Sequence, residues 1–336
     1  MASTLLALKL GSTTTTIYRE GEGMVLREPS MIATIGSHKS REIKAVGKEA
    51  KRLLGRTSDG LQVISPISGG VIIDSESASM MLKAFLKMIE NRPRLIKNST
   101  RAIVCVPLGI NLTQRKVLEK VCYDAGINDV ILLPAIICSA VGDDIPVDQN
   151  IGKLLVNIGG GATNIAVMCN NQIITGLSVN LGGSNITVAI EKLIEEKFNI
   201  KVGDGQAEDL KKEIQSLYPD SSTEGQITGV DKETKESKTV TVTSNDVYLI
   251  VEHYYGKIME AVMSVVANCP PDIIHDIMEE GMYIFGGGAY LSGFEKFVKD
   301  RTGLTPKISE NAKTDIAGAA KLINNPNMLR DLLLNV

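Results

Sequence analysis

Two turns of small residues carry the chemistry that can be read first in this 336-residue chain. Residues 6–18 read LALKLGSTTTTIY and residues 154–166 read LLVNIGGGATNIA. Superposed on their glycines, each is an apolar run, a polar residue (Lys9 or Asn157), one apolar residue, a Gly/Ser/Thr turn and a second apolar run. An apolar strand that enters a small-residue turn and leaves as a strand is a hairpin. Such a turn leaves backbone N–H groups uncovered, and consecutive uncovered N–H groups form a nest for an anion. One such turn is commonly structural. Two of them, one in each half of the chain, predict two similar lobes gripping one polyanionic ligand.

The elements that must position these turns follow an α/β order in both halves. Strand signals fall at Thr4–Lys9, Thr15–Tyr18, Ala102–Val106, Asp129–Leu133, Leu154–Ile158 and Asn164–Met168. Ser75–Glu90 carries Met80, Met81, Ala84, Phe85, Met88 and Ile89 near a helical period. A second helix is predicted from an N-cap at Thr113 to Gly126, a third over Asn185–Lys197, and a short one over Gln206–Ser216. A long helix over Ser244–Cys269 stops at Pro270 and Pro271. The polar stretch Tyr218–Glu236 reads as a loop or a β excursion, and GDDIPVDQNIG at Gly142–Gly152 as the break between lobes.

Composition narrows the function. A net charge of −3 lacks the basic surplus of a general nucleic-acid binder, and 4% aromatic residues without tryptophan give no base-stacking platform. The five cysteines (Cys105, Cys122, Cys138, Cys169, Cys269) form no C-x-x-C pair and read as buried thiols. Three scattered histidines suggest neither a zinc site nor a Cys/His nucleophile. No signal peptide is read before the first strand and no apolar run reaches membrane-spanning length, so a cytoplasmic protein is expected.

In order and spacing, longer words of the chain resemble the MreB family of bacterial actin homologues. They are LGSTTTTIY from Leu10, LREPSMIA from Leu26, LLGRTSDGLQVISPISGGVIID from Leu53 and RAIVCVPLGINLTQRKVLE from Arg101. Then come NIGGGATNIAVM from Asn157, AEDLKKEIQSLYP from Ala207, ANCPPDI from Ala267 and MYIFGGGAYLSGFEKFV from Met282. The resemblance implies an actin-like α/β fold of two duplicated lobes, each a mixed sheet flanked by helices, with ATP or another purine nucleotide in the cleft. On this reading the first lobe spans about 1–145, with an insertion at about 32–70, and is completed by a C-terminal helix at about 315–336. The second spans about 146–314, with an insertion at about 184–245. It further implies membrane-associated filaments made with itself or with other MreB-type subunits. These would lie on the inner face of the cell membrane and guide cell-wall synthesis, and so cell shape.

Residue by residue, the resemblance assigns Gly11, Ser12, Thr13 and Thr14 to the first phosphate turn and Gly159, Gly160 and Gly161 to the second. Gly286, Gly287, Gly288, Ala289 and Tyr290 match the adenosine turn, and Gly182 and Gly183 another turn near the nucleotide, followed by Ser184–Thr187 where an acidic pattern is usual. Glu208 and Lys211 lie three apart on one helix face, the face that meets the nucleoside in the family, or else form a solvated ion pair.

The departures are as informative as the matches. The family's Mg²⁺-organising aspartates are replaced by Lys9 and Asn157, and its water-positioning glutamates by the apolar run Leu133, Pro134, Ala135 and Ile136. Mg²⁺ favours carboxylate oxygen ligands. Losing a positioned acid–base group costs about 10²- to 10⁴-fold in rate. The expectation is therefore no catalytic residue, a doubtful place for Mg²⁺, and weak or absent ATP hydrolysis. Lys9 either stands in for the metal's charge beside phosphate, or points away or pairs with Asp74 or another acid and leaves the cleft empty. An ATPase rescued by Asp143 or Asp144, and a non-polymerising regulator or chaperone-like adaptor, are the alternatives. Leu95 and Ile96, set among Arg92, Arg94, Lys97 and Arg101, match an apolar pair that the family dips into the bilayer, or form an ordinary loop. The tail residues Leu329, Leu332, Leu333 and Val336 offer a second contact or dock onto the first lobe.

Overall fold

The computed structural model describes residues 4–36, 41–55, 60–90, 99–219, 221–311 and 314–333. Its contacts divide the chain into two units. One comprises the chain up to Ile151, Met168–Ser178 and everything from Asn311 onward; the other comprises Gly152–Val167 and Val179–Glu310. Along the chain the units change over at Ile151/Gly152, Val167/Met168, Ser178/Val179 and Glu310/Asn311.

The first unit runs β1 (Thr4–Leu10), β2 (Thr14–Arg19), β3 (Gly23–Pro29), β4 (Ile32–Ile35), β5 (Glu42–Val46), α1 (Gly47–Arg52), β6 (Leu61–Ile64), β7 (Ile67–Ser68) and β8 (Val71–Ile72). It continues with α2 (Ser75–Ile89), β9 (Thr100–Val106), α3 (Leu112–Ala125), β10 (Asp129–Pro134) and α4 (Ala135–Gly142). Its main sheet has the order β10-β9-β1-β2-β3. The hairpin strands pair antiparallel, whereas β9 runs parallel to β1 and β10 parallel to β9. Leu6, Leu8, Ile17 and Val104 from the sheet pack with Met81 and Phe85 of α2 and Val121 of α3. Asp74 caps α2 by accepting the Ser77 N–H at 3.0 Å.

The second five-stranded sheet repeats this plan. Its elements are β11 (Lys153–Ile158), β12 (Thr163–Cys169), β13 (Gln172–Val179), α5 (Gly183–Phe198), β14 (Ile200–Lys201), α6 (Asp204–Ile214), β15 (Glu224–Asp231) and β16 (Ser237–Thr243). They continue with α7 (Ser244–Ala267), α8 (Pro271–Glu280), β17 (Met282–Phe285), a 3-10 turn at Gly287–Ala289, α9 (Phe294–Thr302) and β18 (Pro306–Ile308). The order β13-β12-β11-β17-β18 places a first strand between its hairpin partner and a parallel crossover strand, as in the first sheet. Crossover connections put helices on the sheet faces, which explains why β11 and β12 are buried along their whole length. After β18 come α10 (Thr314–Ile323) and α11 (Pro326–Leu333).

Several elements differ from their sequence reading. Helix α3 is capped by Asn111, not Thr113: Asn111 and Gln114 form a reciprocal capping box, and Gly126 ends the helix in the left-handed region at φ 104°. Helix α6 starts at Asp204 and ends at Ile214. Tyr218–Glu236 holds a whole strand, β15, paired antiparallel with β16. The tail is two helices, broken before Pro326 because proline cannot donate the hydrogen bond that would continue α10. Helix α10 packs on α4 at backbone distance: a Cβ on Gly318 would overlap the Cys138 carbonyl.

Candidate functional site

The first turn links β1 and β2, with Lys9 opposite Thr16 and Leu10 opposite Thr15. The Gly11 N–H donates to the Thr14 carbonyl at 3.2 Å, and a Cβ on Gly11 would stand 2.8 Å from that oxygen. Glycine is needed there for the close approach. All three remaining carbonyls of the turn are held. The Gly11 carbonyl accepts from Ser30 Oγ at 2.6 Å, the Ser12 carbonyl from Ser65 Oγ at 3.1 Å, and the Thr13 carbonyl from the Ser30 N–H at 3.0 Å. Ser12 Oγ accepts from the Gly70 N–H at 2.9 Å. Among the described residues no acceptor bonds the N–H groups of Ser12 and Thr13.

The second turn, between β11 and β12, is built the same way. The Gly159 N–H donates to the Ala162 carbonyl at 3.0 Å, and a Cβ on Gly159 would stand 2.9 Å from it. Here the carbonyls of Gly159 and Gly160 accept from the N–H groups of Gly183 (3.1 Å) and Ser184 (2.7 Å) at the start of α5. Gly182 must lack a side chain, since a Cβ would lie 2.6 Å from the Gly159 oxygen and 2.7 Å from that of Gly160. The N–H groups of Gly160 and Gly161 have no acceptor among the described residues. Each turn is therefore a loop with carbonyls tied to the protein, those of Gly11, Ser12 and Thr13 in one and of Gly159 and Gly160 in the other, and with two consecutive N–H groups open, an arrangement that can take anion oxygens.

Lys9 does not pair with Asp74. Its ammonium forms an ion pair with Asp315 at the start of α10, the lysine side chain 34% and the aspartate 3% exposed. Burial works against the lysine's charge, but the adjoining Asp315 carboxylate outweighs it and holds the Lys9 pKa above its ordinary value. Asp74 is instead engaged by Arg41 Nη1 at 2.8 Å and by the cap of α2. Asn157 is 5% exposed beside Phe285 in the β11–β17 register.

Pro134 is the N-cap of α4, and no acid stands in that helix's first turn. Asp143 caps the opposite end, and Asp144 pairs with Lys321 at 2.7 Å. An eight-residue helix is about 12 Å long, so neither acid replaces a carboxylate at Pro134. Among the described residues no three His, Cys, Asp or Glu side chains gather as metal ligands. The donor set thus suits an anion and offers Mg²⁺ no carboxylate at positions 9 and 157.

The turn that the resemblance assigns to adenosine follows β17. Gly286 has φ 88°, and a Cβ there would come within 2.9 Å of Asn157 Oδ1 and overlap the Ile158 carbonyl; one on Gly288 would overlap the Ile158 side chain. The turn thus lies flat on the end of β11. Tyr255 of α7 fixes it, its hydroxyl donating to the Gly288 carbonyl at 2.6 Å, and burial pushes the Tyr255 pKa up. Tyr290 stays 47% exposed, with its hydroxyl on the Ser309 carbonyl at 2.6 Å.

Glu208 and Lys211 do not pair with each other as a solvated couple. Glu208 pairs with Lys212 at 2.9 Å, while Lys211 is 6% exposed and donates to the Gly183 carbonyl (2.8 Å) and Thr187 Oγ1 (2.9 Å). Leu95 and Ile96, with Arg92, Arg94 and Lys97, lie outside the described residues, as does Val336. The sequence reading missed Ser30, Gly70, Tyr255 and Asp315. Ser30 had a signal in its place one residue after Pro29, where β3 must end. The contacts of the other three lie far along the chain, where no local pattern marks them.

The family model described as MreB/Mbl protein matches residues 3–331. The cell shape-determining protein MreB of Escherichia coli K12 is 34% identical over 322 residues, which cover 94% of this chain and 92% of that one. The cell shape-determining protein Mbl of Bacillus subtilis 168 is 30% identical over 326 residues, covering 96% and 97%. A crystal structure of MreB 5 of Spiroplasma citri bound to AMPPNP superposes with a TM-score of 0.87 at 27% identity, covering 100% of both chains. The fold is therefore actin-like α/β.

Proposed function

We propose that this chain, which belongs to the MreB/Mbl family, is an MreB-like cytoskeletal protein that binds a purine nucleotide and takes part in determining cell shape. The observation that carries the nucleotide reading is the shared construction of the two glycine turns, each with two or more carbonyls tied to the protein and two consecutive N–H groups open. Such groups take phosphate oxygens. The names of the relatives and the AMPPNP held by MreB 5 of Spiroplasma citri support it.

The finer reading is a filament subunit that uses nucleotide mainly as a structural ligand. It assembles with itself or with other MreB-type subunits against the inner membrane surface, alongside the cell-wall synthesis machinery. Family membership supports self-assembly, and a contact repeated head to tail without closure yields a filament. No described helix is long and apolar enough to cross a membrane. Weak or absent hydrolysis is supported by Lys9 in its pair with Asp315, by Asn157, and by the apolar first turn of α4. Phosphoryl transfer rests largely on electrostatic positioning, and these positions supply no carboxylate for it.

Equilibrium binding of ATP with and without Mg²⁺, together with phosphate release, tests this. Binding that changes less than about threefold on adding Mg²⁺, without steady release, is the expected result. Strictly Mg²⁺-dependent binding with turnover would overturn the weak-hydrolysis reading, and no binding in either condition would overturn the nucleotide reading.

A further inference from the structure

The run Gly286–Gly288 has no side chains with which to fix itself, and consecutive glycines leave a backbone many conformations. Its position therefore rests on the groups around it. Ile158 at the end of β11 stops it on one side, where a Cβ on Gly288 would overlap the Ile158 side chain. From α7, Tyr255 donates its hydroxyl to the Gly288 carbonyl at 2.6 Å. Beyond the glycines, the Tyr290 hydroxyl donates to the Ser309 carbonyl at 2.6 Å.

Tyr255 lies in the buried stripe of α7 with Val247, Val251, Ile258, Val262 and Val266. Burial pushes its pKa up, so the phenol stays protonated and remains a donor. A buried phenol needs a hydrogen-bond partner, and here that partner is a carbonyl of the glycine run. The Tyr255 ring also meets Phe294, at the start of α9, edge to face, with centroids 5.6 Å apart and planes at 69°. Phe294 and Ala289 line a cavity of about 490 Å³ whose wall includes Tyr218, Tyr290 and Ser309. One side chain thus braces both the turn and a wall of the cavity beside it. An apolar residue at 255 would suit the stripe equally well but would leave the Gly288 carbonyl without this donor. A buried acceptor left unpaired is costly, and a glycine run is free to turn away and relieve that cost.

We propose that Tyr255 is a positioning residue for the nucleoside part of a bound nucleotide. It touches no ligand itself. Its hydroxyl fixes Gly286–Gly288 against the end of β11, and with them the surface on which a base and ribose lie. The ligand class is a purine nucleoside or its phosphates. The inference rests on the nucleotide reading above and adds which residue outside the glycine turns sets how well the nucleoside is held.

The test compares wild type, Tyr255→Phe and Val262→Ala, the last a core change on the same helix that leaves the Gly288 bond intact. Affinities for ATP, adenosine and inorganic tripolyphosphate are read by displacement of a fluorescent adenine nucleotide, well below the melting temperature of every variant. Tyr255→Phe removes only the hydroxyl. It is expected to lose about fivefold or more in affinity for ATP and for adenosine alike, with tripolyphosphate changed less than about twofold. Val262→Ala should melt earlier and keep all three affinities within about twofold. Tyr255→Met also lacks the hydroxyl and carries the test if the phenylalanine variant does not fold. Unchanged ATP and adenosine affinities would overturn the proposal. An equal loss for all three ligands, or the same loss in Val262→Ala, would make Tyr255 a merely structural residue and overturn it as well. A wild type that binds none of the three would remove the nucleotide reading and this proposal together, an outcome distinct from the others.

Discussion

Lys9 and Asp315 decide what the first glycine turn can do. Removing the ammonium leaves a carboxylate only 3% exposed without its charge partner. Breaking a buried pair costs about 3–5 kcal/mol; because Lys9 is a third exposed, about 2 kcal/mol is expected for Lys9→Met at pH 7.5, measured by urea unfolding. The pH dependence has a definite sign. The Lys9 pKa is raised above its ordinary 10.5 in the folded state. Its contribution is therefore complete below that value and is lost as pH rises through the folded one. The gap between wild type and Lys9→Met should narrow above pH 10.5; a constant gap would mean that the pair is not the source. The replacement of an acid at position 9 was legible in the sequence. Its partner was not, because Asp315 is brought in by α10, whose contacts with α4 and β1 are long-range.

At the scale of elements, legibility followed side-chain chemistry. Helix α2 was readable from its helical period, and strands β1, β9 and β11 from short apolar runs of strand length. Strand β15 was not. Its buried positions are Gly225, Ile227 and Gly229, and two of the three carry no hydropathy signal, since a Cβ would stand 2.5 Å from Leu210 Cδ1 or 2.6 Å from the Lys201 carbonyl. Helix α4 is buried on nearly every side, and a uniformly apolar run has no period to read. Its packing with α10 makes Gly318→Ala a test of the helix pair. The added methyl meets a backbone carbonyl, and a loss of about 3 kcal/mol or more is expected in denaturant unfolding. A second junction joins β11, α8, β17 and β18 through Glu280, which accepts from Tyr283 Oη at 2.8 Å and from Lys307 and Lys153, each at 3.2 Å. These bonds pull the Glu280 pKa down to about 2. The stability they add is complete above the ordinary value of 4.5 and is lost as pH falls toward 2. Glu280→Gln should cost about 1–2 kcal/mol at pH 7 and progressively less below pH 4. Parallel acid limbs for variant and wild type would refute this.

For the whole molecule, the two sheets of the same strand order mirror the two similar glycine turns seen in the sequence. The repeat was visible because glycine turns keep their spelling where surrounding strands need only stay apolar. If nucleotide acts as a structural ligand, polymer pelleted with AMPPNP should equal polymer pelleted with ATP within about 20%, and neither should decay over hours. Loss of the ATP polymer alone would indicate turnover. The Lys9–Asp315 pair also bears on descent, since it ties the first strand of the chain to one of its last helices. A lineage carrying it cannot regain an aspartate at position 9 by one substitution. Lys9→Asp alone would set two carboxylates against each other in a buried place, and Asp315→Ala alone would strand the lysine. Each single change costs stability that the other would restore, so a return to an acid at position 9 is favoured only with a change at position 315 as well.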